Sequence, residues 1–174
     1  MDEVRIIPTR EKDIDRFSAV VDIVARERRY IGFVEGPPLE STQKFVRSIL
    51  AGGGVQMLAV RMNDEVVGWC DIVRNPVEGF RHTGRLGMGL IPTYRGQGLG
   101  KRLVVETIHS ARQVGIERVE LEVFASNERA IALYRTLGFV TEGIKRRARK
   151  LDGVYDDNVF MALVAGIDSL HNAV

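Results

Sequence analysis

Apolar and polar positions follow two rhythms along this chain, and the switches between them mark out its elements. Val4, Ile6 and Ile7 lie in a short extended run that ends at Pro8. Beyond Asp13, a candidate helix cap, Ile14, Phe17, Val21 and Val24 recur at the spacing of one helix face. Gly36-Pro37-Pro38 breaks the chain. A second helical stretch then carries Phe45, Val46, Ile49 and Leu50 on one side and stops at Gly52-Gly53-Gly54. Residues 55–61 and 65–73 read as strands joined across Met62-Asn63-Asp64, a hairpin signal. Residues 82–91 form another strand, rich in glycine at Gly84, Gly87 and Gly89 and stopped by Pro92.

A helix with Leu99, Leu103, Val104, Ile108 and Ala111 inward comes next. Residues 117–124 then alternate strictly, Val119, Leu121 and Val123 to one face and Glu120 and Glu122 to the other. Ser126-Asn127 caps a short helix carrying Ala130, Ile131, Tyr134 and Leu137. Gly138-Phe139-Val140 opens a strand, and residues 154–164 supply the last. The order β-α-α-β-β-β-α-β-α-β-β predicts an α/β domain around a sheet of mixed direction. The strand–loop–helix units at 86–112 and 117–137 need crossovers, which predicts parallel pairing at both.

Composition narrows the class. At 174 residues, 45% of them hydrophobic, the chain suits one compact domain, residues 1–174. A formal net charge of +2 gives no electrostatic case for nucleic acid or membrane partners. The single cysteine, Cys70, excludes an internal disulfide framework and suits a reducing compartment. Residues 1–8 lack the apolar run of a signal peptide, and no apolar segment is long enough to span a bilayer. A soluble cytoplasmic protein is expected.

The chemistry starts in Arg95-Gly96-Gln97-Gly98-Leu99-Gly100-Lys101, three alternate glycines between a strand and an amphipathic helix. Without Cβ atoms this backbone can turn tightly and bring successive N–H groups to a ligand. Those N–H groups are also the unsatisfied donors of a helix start, where the macrodipole favours an anion. Arg95 and Lys101 add positive charge. A pyrophosphate cradle follows from these features, the bland alternative being a turn that lets a helix pack close to a strand. A P-loop is excluded because Arg95 stands where its first glycine belongs and Arg102 where Ser or Thr does. The G-x-G-x-G spacing also differs from the G-x-G-x-x-G of dinucleotide-binding folds.

The stretch from Ile91 to Gly100 resembles the acetyl-CoA motif, Arg/Gln-x-x-Gly-x-Gly/Ala, of the GNAT (GCN5-related) N-acetyltransferase superfamily. Downstream, Leu121-Glu122-Val123-Phe124-Ala125-Ser126-Asn127 through Tyr134, with Leu137-Gly138-Phe139, is similar to its second hallmark. The resemblance implies a mixed sheet of about seven strands flanked by about four helices. It implies acetyl-CoA as cosubstrate, with the backbone of Met88, Gly89 and Leu90 on the pantetheine arm and Arg95, Gly96, Gln97, Gly98, Leu99, Gly100 and Lys101 around the pyrophosphate. It places Asn127 near the pantetheine or thioester and Tyr134 beside the sulfur.

An amine attacking a thioester must lose a proton, the carbonyl must be polarised, and the departing thiolate must be protonated. The resemblance makes Leu90 N–H the candidate carbonyl donor, in a gap between splayed strands. Tyr134 is the candidate acid; its plain alternative is a core aromatic. Glu122 is the candidate base, twelve residues before Tyr134, as in superfamily members that acetylate protein N-termini. Its plain alternative is the solvated face of a sheet. Other members keep an acid on the preceding strand. This chain has Gly87 and Gly89 there and no carboxylate, which leaves a water chain as the other route for the proton.

The run Lys145-Arg146-Arg147-Ala148-Arg149-Lys150, near Asp152, Asp156 and Asp157, reads as a solvated hairpin arm. His82, His109 and His171 have no metal-ligand spacing, so no metal is expected. Trp69-Cys70 reads as core. By resemblance, the segment 33–38 closes over the acceptor, making Tyr30, Phe33 and Glu35 candidate acceptor contacts. The stretch before the last strand, with Gly153, Tyr155 and Asp157, is similar to that of small-molecule amine and amino-acid acetylases. A free amino acid or small amine is therefore the expected acceptor, with a protein N-terminus or lysine as the enzymatic alternative. A non-catalytic acyl-CoA-binding module is the alternative of another class. Pairing of two copies through the C-terminal strands is expected by resemblance.

Overall fold

The computed structural model describes residues 3–165; Met1, Asp2 and His171 lie outside them. A seven-stranded sheet forms the centre. Its strands are β1 (Val4–Pro8), β2 (Gly54–Arg61), β3 (Val66–Arg74), β4 (Thr83–Leu90), β5 (Arg118–Phe124), β6 (Val140–Leu151) and β7 (Val154–Val164). They lie in the order β1-β2-β3-β4-β5-β7-β6. Four α-helices flank the sheet among the described residues: α1 (Ile14–Arg26), α2 (Leu39–Ser48), α3 (Leu99–Gln113) and α4 (Glu128–Thr136).

Each face of the sheet has its own core because strand residues alternate sides. On one face Leu103, Val104 and Ala111 of α3 and Ile131 and Tyr134 of α4 pack on Cys70, Ile72, Leu86, Leu121 and Val123. On the other, Phe17, Val20 and Val24 of α1 and Val46 of α2 pack on Leu58, Val60 and Trp69. The Phe17 and Trp69 rings meet edge-on with centroids 5.8 Å apart. Trp69 and Cys70 are both core residues, as read from the sequence.

β4 and β5 are parallel, as the first crossover requires, but they pair only over Thr83–Arg85 and Arg118–Glu120. Beyond that they separate. β4 stays bonded to β3 as far as Leu90, so its other side is left open toward β5.

The second expected parallel pairing does not occur. β7 lies between β5 and β6 and is antiparallel to both. The β6–β7 pairing has a local cause: Asp152 (φ 51°) and Gly153 (φ 81°) take the left-handed conformations of a two-residue hairpin turn. That turn folds β7 straight back on β6, and β7 then presents its other edge to β5. Asp13 also departs from its expected role, since its carboxylate makes no cap bond with α1. It accepts instead from Arg10 (N–H, 3.1 Å; Nε, 3.0 Å) and from Arg16. Asn127 caps α4 as expected, its Oδ1 accepting from Ala130 N–H at 3.2 Å.

Candidate active site

The separation of β4 from β5 opens a cleft of about 1270 Å³ that joins the two faces of the sheet. On the α3/α4 side it is lined by Gly96, Gly98, Gly100, Lys101, Asn127, Arg129 and Tyr134. On the α1/α2 side Phe17, Tyr30, Phe33, Phe45, Trp69 and Asp71 line it. The exposed edge of β4, residues 85–90, forms the passage between them. Ile91 N–H donates to Val67 O (3.0 Å), toward β3. By alternation Leu90 and Met88 direct their N–H groups to the open side.

The glycine loop has the shape its composition promised. Gly96 and Gly98 lie at φ 81° and 79°, and Gly98 is the residue from which α3 starts. The first bond into the helix from this end runs from Arg102 N–H to Gly98 O (3.2 Å), leaving the N–H groups before it without helical acceptors. A Cβ at Gly98 would stand in open space, whereas one at Gly96 would lie 2.7 Å from Nη2 of Arg129. Lys101 and Arg129 thus put positive charge beside an array of free N–H groups. Such a cradle fits the diphosphate of a coenzyme.

Gln97 and Leu99 of the motif do not line the cleft, and Arg95, which does, has its charged end engaged within the protein. The Arg95 guanidinium turns inward to a bidentate pair with Glu27 at the end of α1, with Nη1 2.8 Å from Oε2. It also donates to Leu90 O from Nε (2.9 Å) and Nη2 (2.6 Å) and lies 4.6 Å from the Tyr30 ring centroid. Gln97 donates to Thr93 O (2.8 Å), and Leu99 is a core residue. Arg95 and Gln97 therefore shape the loop through their side chains, and Arg129, which the sequence alone does not single out, supplies the charge over Gly96.

Tyr134 reaches the cleft from α4 and is 6% exposed. Burial, with the nearby Cys70 thiol adding to it, pushes its phenol well above the ordinary range, so it stays protonated at neutral pH. Glu122 lines the cleft from the opposite face, and both its oxygens are engaged. Asn158 Nδ2 donates to Oε2 (2.9 Å), while Arg85 Nη2 (3.2 Å) and Lys145 Nζ (3.6 Å) approach Oε1. Tyr30 and Phe33 line the α1/α2 side of the cleft; Glu35 is not among the lining residues.

The basic run on β6 is largely solvated; Asp157 accepts from the backbone N–H of Arg147 within it (2.6 Å), but its other two aspartate neighbours have other partners. Asp152 pairs with Arg28 at 2.8 Å and Asp156 accepts from Ser126 Oγ at 2.5 Å. Arg147 and Arg149 lie instead over the rings of Tyr155 (3.8 Å) and Phe124 (4.5 Å).

Asp71 is the residue the sequence left unmarked. It is a lone acid in the apolar run Trp69-Cys70-Asp71-Ile72-Val73, and its signal is visible only in register, where Gly87 stands opposite. Among the described residues no group of three or more His, Cys, Asp or Glu could hold a metal ion. No helix among them is long and apolar enough to cross a membrane.

A sheet opened between two parallel strands, with a glycine cradle at the following helix, defines an acyl-coenzyme A transferase architecture. The chain belongs to the acetyltransferase (GNAT) family, whose model matches residues 19–139. It is 37% identical over 100 residues to the N-alpha-acetyltransferase RimI of Mycobacterium tuberculosis, covering 55% of this chain and 59% of that one. The chain thus spans little more than half the length of this curated relative. Among solved structures, the ribosomal-protein-alanine N-acetyltransferase of Brucella melitensis superposes with a TM-score of 0.84 at 26% identity, over 92% of this chain and 99% of that chain. A phosphinothricin acetyltransferase from Sinorhizobium meliloti, in complex with acetyl-CoA, shares the fold at TM-score 0.87 and 18% identity, over 95% and 90% of the two chains.

Proposed function

We propose that this chain is an acetyl-CoA-dependent N-acetyltransferase whose acceptor is the primary amine of a small molecule, a free amino acid or simple amine. Acetyl-CoA lies with its diphosphate on the 95–101 loop, held by backbone N–H groups, Lys101 and Arg129. Its pantetheine arm runs along Met88, Gly89 and Leu90 beside Asn127, and the thioester enters the gap between β4 and β5. Leu90 N–H polarises the thioester carbonyl. The amine attacks from the α1/α2 side; the C–N bond forms, the C–S bond breaks, and Tyr134 gives its proton to the leaving sulfur. Glu122, held by Arg85, Lys145 and Asn158, contributes negative charge to the acceptor wall.

One observation carries the small acceptor: the segment after α1 is joined to the β6–β7 hairpin, whose Arg149 lines the cleft. Arg28, just after α1, pairs with Asp152 in the β6–β7 turn (2.8 Å), and Arg149 Nη2 donates to Arg28 O (2.6 Å). Two segments that would have to part for a peptide are thereby joined. A protein N-terminus is the second reading, favoured by the names of the mycobacterial and Brucella relatives. A cytoplasmic location belongs to the same proposal, as does pairing of two copies along the edge strand β6, where Val140 and Ile144 are exposed.

Thiol release from acetyl-CoA, measured with L-amino acids, alkylamines and short peptides bearing a free N-terminus, tests the acceptor class. Turnover confined to small amines is expected, with Asp152→Ala admitting peptides. Wild-type preference for peptides would overturn the small-acceptor reading. Firm binding of acetyl-CoA without transfer to any amine would point to a non-catalytic acyl-CoA-binding module.

A further inference from the structure

Three residues stand side by side across β2, β3 and β4: Gln56 opposite Asp71, and Asp71 opposite Gly87. All three are on the α1/α2 face, where Trp69 lies across Gly89 as Asp71 lies across Gly87. A Cβ built on Gly87 would be 3.2 Å from Oδ1 of Asp71. The glycine therefore leaves the carboxyl room to lie over β4, beside the strand edge that opens toward β5. Asp71 is 6% exposed, and the surface it retains faces the cleft. Gln56 is 4% exposed, and neither end of its amide has a hydrogen bond of ordinary length, so β2 gives the carboxyl a polar but uncharged neighbour.

We infer that Asp71 is the catalytic base, the group that takes a proton from the acceptor ammonium on the α1/α2 side of the cleft. This rests on the acetyltransferase reading above and names the group that reading leaves open. Glu122, on the same face, has its oxygens taken up by Asn158, Arg85 and Lys145. Asp71 forms no ion pair among the described residues, so of these two carboxylates on the α1/α2 side its own is the one available to an incoming cation; Glu128, which also lines the cleft, belongs to α4 on the other side.

The protons balance. Of the three on R–NH3+, the first passes to Asp71 carboxylate, giving R–NH2 and a carboxylic acid. The neutral nitrogen then forms the C–N bond as the C–S bond breaks, and the thiolate takes its proton from Tyr134. The second nitrogen proton restores the phenol, and the third stays on the product amide. Asp71 returns its proton to solvent through the open cleft.

The environment suits the task. Burial raises the carboxyl against the opposing influence of Gln56 and Trp69, and its pKa is pushed up to about 7. A base of that strength is half ionised at neutral pH and can both accept and release a proton there. The charged groups sharing its cleft are Arg29 from the segment after α1, Arg85 on β4, Arg95 and Lys101 of the glycine loop and α3, Glu122 on β5, Glu128 and Arg129 on α4 and Arg149 on β6. From α2 the cleft is lined by uncharged Ser41, Thr42 and Phe45. Cys70 and Tyr134, on the other face, are pushed far above neutrality by burial and do not titrate in this range.

The test compares wild type with Asp71→Asn, which keeps the side-chain volume, using butylamine, L-amino acids and a short peptide as acceptors. Acetyl-CoA binding is expected to be unchanged, with kcat/KM at pH 7 lower by about 100-fold or more. Wild-type kcat/KM should rise to a plateau near pH 7. The variant should instead climb tenfold per pH unit up to the amine's own pKa, so its deficit shrinks at high pH. A variant retaining the wild-type rate, or the wild-type limb near pH 7, would overturn the assignment. Absence of turnover by wild type with every acceptor would count against the acetyltransferase reading itself. The Asp71 carboxyl, followed by 13C NMR with butylamine as probe, decides the assignment independently. A midpoint near 7 that falls when butylamine is added supports it, and a midpoint near 4 or one unmoved by the amine overturns it.

Discussion

Arg95 of the glycine loop and Glu27 at the end of α1 form a bidentate ion pair that reaches from one face of the sheet to the other, 68 residues apart in sequence. The two side chains are 20% and 22% exposed, so the pair is largely screened from solvent. It ties the glycine loop to the end of α1, on the α1/α2 side of the cleft, and the same guanidinium holds Leu90 O at the mouth of the gap.

Glu27→Ala therefore should weaken acetyl-CoA binding although Glu27 does not line the cleft. The expected loss is roughly tenfold in Kd, about 1.4 kcal/mol, the scale for leaving a half-buried cation unpaired and a loop untethered. Calorimetric titration with acetyl-CoA checks this, and an unchanged Kd would mean that the loop holds its shape without the pair.

The three glycines of the loop should respond differently to alanine. Gly98 has φ 79°, where a Cβ costs about 1–2 kcal/mol. Gly100 has no such conformation, and a Cβ there would meet Met88, Leu133 and Leu90 at 3.4–3.5 Å, ordinary contact distances. Gly100→Ala should bind acetyl-CoA within about threefold of wild type, a difference of roughly 0.6 kcal/mol. Gly98→Ala should lose tenfold or more, and Gly96→Ala should add displacement of Arg129 to the same backbone strain. Equal losses at 98 and 100 would contradict the geometry.

Tyr134→Phe removes one hydroxyl and leaves the ring packed against Phe139 at a centroid distance of 5.5 Å. The kcat should fall by about 100-fold with acetyl-CoA affinity and thermal stability little changed, as for loss of a general acid. A drop in stability with kcat intact would instead assign Tyr134 to the core alone.

The raised carboxyl of Asp71 also links stability to pH. Its folded-state pKa of about 7 stands above the ordinary 3.8, so the folded state holds this proton more tightly than the unfolded chain. The resulting stabilisation is complete below about pH 4 and is lost as pH rises to 7. Asp71→Asn escapes that loss. Its advantage in urea unfolding should grow between pH 4 and 7, reach the order of a few kcal/mol, and level off above. A gain that is the same at pH 5 and pH 8 would show that Asp71 has no unusual proton affinity.

Much of this fold is legible in the chain because it is written locally. The alternation of Val119 to Val123, the helical spacing of Leu99 to Ala111 and the glycines at 96 and 98 depend only on near neighbours. The strand order is not local: nothing within residues 140–164 reveals that β7, rather than β6, lies beside β5. The site divides in the same way. Tyr134 and Asn127 stand in a recognisable motif, whereas the partner of Arg95 comes from α1 and the meaning of Asp71 comes from register with a glycine sixteen positions later. Gly87 and Gly89 looked like an absence of chemistry on β4. They are the space in which Asp71 and Trp69 lie.

The central claim, transfer of acetyl from acetyl-CoA to an amine, is tested most directly by mass spectrometry of the acceptor mixture after incubation with the protein and acetyl-CoA. The account predicts a product heavier by one acetyl group on a small primary amine, formed in step with free CoA and largely lost in Tyr134→Phe. Saturating protein that binds no acetyl-CoA, or that releases CoA without acetylating any amine, would contradict it.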